Sequence, residues 1–175
     1  MKPVLALPSR CCARFCCCRW FSRQSLRRML CVLAASALLM GGGNTVAEPS
    51  LGVTNGKLAG CPASPNCVSS DAPQGDHWID PLRLHVDPAT AWRKLEVALT
   101  TLPRITVVTR ADGYLHVEAR SLVFRFVDDV EFHLRPAEGE IAVRSASRVG
   151  YSDLGVNRRR VENLREVLRR DGVVE

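Results

Sequence analysis

Two adjacent carboxylates, Asp128 and Asp129, stand in the run Phe126-Val-Asp-Asp-Val-Glu-Phe132, and such residues are candidates for proton transfer. Neighbours on a strand point to opposite faces. Asp128 therefore shares a face with Val130 and Phe132, and Asp129 is expected on the exposed side. A carboxylate on an apolar face must be paired or neutralised. Two roles follow for Asp128. It serves as an acid or base beside Asp129, with Arg148 stabilising charge, or it bonds Ser147, loop amides or one of Arg158, Arg159 and Arg160 and locks the last helix down. The second candidate chemistry is anion binding in Arg144 to Val161, reading RSASRVGYSDLGVNRRRV. Gly150 and Gly155 bracket a loop that leads into a helix start, and such loops direct backbone N–H groups at a ligand. Arg144, Arg148 and Arg160 supply cations, while Asp153 and Asn157 are available as caps. Three arginines in a first helical turn oppose the macrodipole, so something must offset them.

Other chemistry is weakly supported. No Walker lysine or GxGxxG fingerprint accompanies the glycines. His116 and His133 share the polar face with Tyr114, Glu118 and Glu131, but no spacing suggests metal ligation, and both read as solvated. His77 beside Trp78 reads as structural, and Ser69 and Ser70 lack a nucleophile elbow. No cofactor and no metal are expected. The formal charge of +6 is misleading: seven of the 24 basic residues precede Ala47 with no acidic residue among them, and the remaining 17 face all 18 acidic ones. The net charge after Ala47 is thus −1, and with aromatic residues mostly on core phases no nucleic-acid partner is expected.

The basic start has the layout of a secretory signal over residues 1–47: charges ending at Arg27 and Arg28, an apolar run from Met29 to Met40, then small residues. Twelve apolar residues are too few for a bilayer, which takes ~20. Cleavage before Glu48 and an exported, periplasmic product are expected, with no stable membrane span afterwards. An uncleaved leader acting as an anchor is the alternative. Cys11, Cys12, Cys16, Cys17 and Cys18 lack metal-site spacing; a mis-assigned start, with Leu26 or a nearby codon as the true one, accounts for them more simply. Leu58-Ala-Gly-Cys61 lies too far past the apolar run to be a lipoprotein box. After the leader only Cys61 and Cys67 remain, with five residues between them and held by Pro62 and Pro65, which makes them disulfide candidates in an oxidising compartment.

These candidates must be held by the elements around them. Residues 48–80, rich in Gly, Pro, Ser and Asn, are predicted to form an extended segment over the core, pinned by Val68 and Trp78. An α+β domain follows over residues 81–175. Asp87 is predicted to cap a helix with Pro88 at its first position, burying Trp92, Leu95, Leu99 and Leu102 until Pro103 ends it. A three-residue loop, Ala111-Asp-Gly113, sets Ile105, Val107 and Thr109 opposite Ala119, Val117 and Leu115. A hairpin centred on Pro136-Ala-Glu-Gly139 pairs Leu134 with Ile141, Phe132 with Val143, Val130 with Ser145 and Asp128 with Ser147, while Arg135 meets Glu140 and Glu131 meets Arg144. A last helix buries Val161, Leu164 and Leu168. The predicted fold is a two-layer α+β sandwich, a four-stranded antiparallel sheet with two helices on one face, in the order α-β-β-β-β-α.

Three segments, Phe126 to Phe132, Arg144 to Val161 and Cys61-Pro-Ala-Ser-Pro-Asn-Cys67-Val-Ser-Ser70, resemble the bacterial family catalogued as domain of unknown function 1499. The resemblance runs from about Leu58 to the end; it implies a fold and a domain boundary and no substrate. From the residues, the expectation is an exported cell-envelope module without catalytic activity, binding a small anion or an envelope protein at the 148–160 loop through Arg144, Arg148, Gly150, Asp153, Asn157 and Arg160. An enzyme using Asp128 or Asp129 with Arg148 is the alternative, and a third possibility has every one of these groups satisfied within the fold.

Overall fold

The computed structural model describes residues 50–175; the expected leader over residues 1–47 lies outside the described residues. Four short strands come first, β1 (Val53–Thr54), β2 (Lys57–Leu58), β3 (Cys67–Ser69) and β4 (Leu82–Arg83). Then come α1 (Pro88–Thr101), β5 (Ile105–Ala111), β6 (Tyr114–Arg120), β7 (Val127–Arg135), β8 (Glu140–Ser147) and α2 (Val156–Arg170). The fold is α+β as expected, but the main sheet has six strands rather than four. The outer edge of β8 is shared by β3, which pairs Val68 with Ser145, and by β4, which pairs Leu82 with Ile141. The described part of that segment, residues 50–80, thus extends the sheet as well as lying over it. With so few residues each, neither strand shows an alternating pattern in sequence.

The β7–β8 register is the expected one at every position, from Asp128 opposite Ser147 to Arg135 opposite Glu140. The β5–β6 hairpin differs. A bulge between Val107 and Thr109 shifts the register, while Ile105 still meets Ala119 and Val107 still meets Val117. Thr109 pairs with His116 rather than Leu115, and the bulged Val108 is 50% exposed.

Both helices pack on one face. Leu95, Leu99, Val161, Leu164 and Leu168 close over Leu115, Val117, Val130, Phe132 and Val143, with Trp92 and Leu102 at the margin. Asp87 caps α1 by accepting from Thr90 N at 2.9 Å. At α2 the cap residue is Gly155 at φ 77°, and Asp153 supplies the negative charge that the arginines demand. Its carboxylate accepts from Gly155 N at 2.9 Å and from Asn157 N at 2.7 Å. The opposite sheet face is covered by the segment that carries β1 and β2, where Gly52 N donates to Glu131 at 2.6 Å. Among the described residues no helix is long and apolar enough to cross a membrane.

Candidate functional site

Strand alternation divides the two aspartates between two different networks. On the helix side, Asp128 pairs with Arg160 Nη2 at 2.5 Å, opposite Ser147. Arg160 Nη1 donates to Ser145 Oγ at 3.0 Å and to Asn157 Oδ1 at 2.6 Å. Asn157 Nδ2 in turn reaches Asn66 O, Ser147 Oγ and Asp153 within 3.0 Å. This network fastens the start of α2 to β7, β8 and the strand beside the disulfide. Asp128, Asp153, Asn157 and Arg160 are engaged there with one another.

On the other face, Asp129 is 1% exposed, not solvated as its alternation with Asp128 had suggested. The partners that enclose it are the side chains of His116 on β6 and Arg148 just past β8, which alternation alone does not reveal. Asp129 Oδ1 accepts from His116 Nε2 and from Arg148 Nη2, both at 2.7 Å, and Oδ2 accepts from Arg148 Nε at 2.9 Å. His116 is accordingly buried, at 4% exposure, rather than solvated. Arg148 also reaches Glu118 Oε1 at 2.7 Å. Beside this cluster lies a second one around Glu131, which is fully buried. Glu131 accepts from Arg144 Nη1 at 2.9 Å, from Tyr114 Oη at 2.8 Å and from Gly52 N.

Electrostatics fixes the protonation of these groups. Burial alone would raise the Asp129 carboxyl, but hydrogen bonds from Arg148 and His116 outweigh it and hold the group below the usual range. The Arg148 guanidinium is pushed up, chiefly by its hydrogen bonds to Asp129. Burial pushes the Tyr114 phenol up, and Glu131 beside it adds to the effect. Near neutral pH Asp129 and Arg148 are therefore an ion pair, and Tyr114 keeps its proton. Asp129 is ionised and both its oxygens are occupied, which suits it to positioning arginine and not to proton transfer.

An open cleft of about 560 Å³ lies over this face. Gly60, Cys61, Pro62 and Ser64 form one wall, and Asp129, Arg144, Arg148 and Gly150 lie across from them. The wall is held by the Cys61–Cys67 disulfide, with Cα atoms 5.6 Å apart. Arg144 is 3% exposed, and its Nε has no hydrogen-bond partner among the described residues. A buried N–H left unpaired costs roughly 1–3 kcal/mol. Arg148 has a side chain 36% exposed, with Nε and Nη2 bonded to carboxylates.

Of the residues singled out in the sequence, Arg144, Arg148, Gly150 and Asp129 meet at this cleft, whereas Asp128, Asp153, Asn157 and Arg160 belong to the network on the other side of the sheet. Sequence reasoning assigned no binding role to Gly60, Ser64 or Asn66. Their one signal was the disulfide candidate that encloses Ser64 and Asn66. His133 is half-buried, and burial followed by the charge of Arg135 pulls its imidazole below the ordinary value.

Fold and site together define a single α+β module with a polar, arginine-bearing cleft on the sheet face away from its helices. The chain belongs to the family described as protein of unknown function (DUF1499), whose model matches residues 57–168. No curated protein and no solved structure matches it.

Proposed function

We propose that the protein is an exported, non-catalytic module that binds a small anionic ligand, a carboxylate or phosphate, in the cleft between the disulfide loop and β8. The observation that carries this reading is a ligand-sized cleft lined by Arg144 and Arg148, with the buried Arg144 Nε left without an acceptor. Arg148 stands beside it, presented by the loop that was expected to bind. Glu131 and Asp129 hold the two guanidinium groups in place, so a ligand oxygen meets donors already oriented. Export is supported by the leader pattern of residues 1–47 and by the Cys61–Cys67 bridge, since disulfides persist in oxidising compartments.

The test is thermal melting in inorganic phosphate, citrate and a panel of mono- and dicarboxylates and phosphate monoesters. Binding of the native state raises Tm with ligand concentration. The expected result is a rise for at least one anion that disappears in Arg148→Ala while the variant still melts cooperatively. No rise across the panel, or an equal rise in Arg148→Ala, overturns the reading.

A further inference from the structure

The loops at the opposite end of the sheet from the Asp112-Gly113 turn carry apolar side chains that the fold leaves in the open. In the β6–β7 connection, Leu122, Val123 and Phe124 are 73–75% exposed and Phe126 is 52% exposed. In the β8–α2 connection, Tyr151 and Leu154 are 77% and 83% exposed. Because β6 ends and β8 ends on the same side, these two loops project together; Arg148 N bonds Val127 O between them at 3.2 Å. Clustered exposed side chains of this size mark a contact surface, unlike scattered single ones.

The tip is a built structure. Ser121 N donates to Phe126 O, and Phe126 N donates to Ser121 Oγ, both at 2.9 Å, which closes the loop at its base. The Phe124 and Phe126 rings stack at 5.5 Å. In the second loop Leu154 is held at φ 53°, an uncommon conformation for leucine, and Arg159 clamps its carbonyl at 2.8 Å.

Charge selects the partner. The ion pairs at this end, Arg120–Glu118, Arg148 with Glu118 and Asp129, and Arg160–Asp128, leave out the exposed Arg104, Arg125 and Arg159. The sole acidic residue in either loop, Asp153, is bound to the start of α2. We propose that this tip docks on an anionic lipid bilayer, with Leu122, Val123, Phe124 and Leu154 entering the headgroup boundary and Arg104, Arg125 and Arg159 meeting lipid phosphates. Apolar residues at the point and unpaired cations near them are the pattern of interfacial membrane binding. Exposed apolar side chains flanked by arginines without a carboxylate partner match the two components of an anionic bilayer, hydrocarbon and phosphate.

Tryptophan substitutions in the full chain test this, read against the wild-type background. Phe124→Trp places the probe at the tip, and Glu138→Trp places it in the β7–β8 turn at the far end. The vesicles contain phosphatidylglycerol and phosphatidylcholine with brominated acyl chains. The added emission at 124 is expected to shift to the blue and to fall roughly twofold or more, while that at 138 stays unchanged. Arg125→Gln in the Phe124→Trp background is expected to weaken this response about fivefold in lipid concentration, and salt to weaken it further. Equal quenching at 124 and 138 would show attachment by another part of the chain and overturn the proposal. No quenching at 124 overturns it in favour of a protein partner, and equal quenching on purely zwitterionic vesicles overturns the role of the arginines.

Discussion

Arg148 holds Asp129 through two nitrogens, Nε at 2.9 Å and Nη2 at 2.7 Å, on the sheet face opposite the helices. The same Nη2 reaches Glu118. One arginine thus joins β6, β7 and the start of the β8–α2 loop, and it lines the cleft. Replacing Asp129 by Asn keeps the shape but removes the charge that organises both Arg148 and His116. The expected cost is about 1–3 kcal/mol in urea denaturation at neutral pH. A variant as stable as wild type would show that the pair contributes nothing net.

Acidification probes the same carboxyl. Its folded pKa lies below the unfolded value, so its stabilisation is fully present above ~4 and is lost as pH falls through the folded value. Partial exposure of Arg148 screens the effect, which makes it smaller in high salt. Wild type is expected to lose Tm steeply below ~4, and Asp129→Asn to show a shallower fall from a lower starting point. Parallel melting curves for the two proteins would assign acid sensitivity to other groups.

His133 gives a second pH window with its own sign. Its folded pKa is lowered by burial and by Arg135, so the unfolded chain binds the proton more readily. The contribution of neutral His133 is therefore present above the unfolded value of ~6.5 and drains as pH falls below it. His133→Gln should flatten the stability profile below pH ~6.5 without altering its slope above neutrality. Denaturant midpoints across that range read this directly, and an unchanged slope would place the titration elsewhere.

These windows depend on burial that was only partly legible in sequence. The β7–β8 register could be read because core and charge demanded the same pairing: Phe132 against Val143 on one face and Glu131 against Arg144 on the other. Asp128 was legible for the same reason, since its parity put it with Val130 and Phe132, and Arg160 closes the pair that placement required. The enclosure of Asp129 was not legible, because it depends on His116 and Arg148 turning onto one carboxylate. Nor were the added strands, which are two or three residues long in a segment whose one strong signal is a cysteine pair. The β5–β6 register was misjudged because the apolar phase was assumed continuous, and a bulge at Val108 breaks it.

The disulfide supplies a prediction that joins stability to the site. Closing so short a loop stabilises the fold by roughly 2 kcal/mol on the chain-entropy model. Cys61→Ser with Cys67→Ser is expected to lower stability by about that amount, as is reductant on the wild type. Cys61 and Pro62 also wall the cleft, so the double variant should lose any anion-induced rise in Tm in greater proportion than its stability. Retention of the full rise would mean that the wall is held without the bridge.

Asp128 and Arg160 allow the structural and catalytic roles of the first aspartate to be separated. The pair joins β7 to the first turns of α2, and the Asp128 side chain is 8% exposed while that of Arg160 is 18% exposed. Removing one partner of a buried pair leaves an uncompensated charge and costs roughly 3–5 kcal/mol, whereas replacing both by apolar groups is often tolerated. Asp128→Asn is therefore expected to destabilise strongly, and Asp128→Leu with Arg160→Met to recover part of the loss. The coupling in this double-mutant cycle is expected to be at least about 1 kcal/mol. Additive effects, with Asp128→Asn folded at full stability, would instead free this carboxylate for a chemical role.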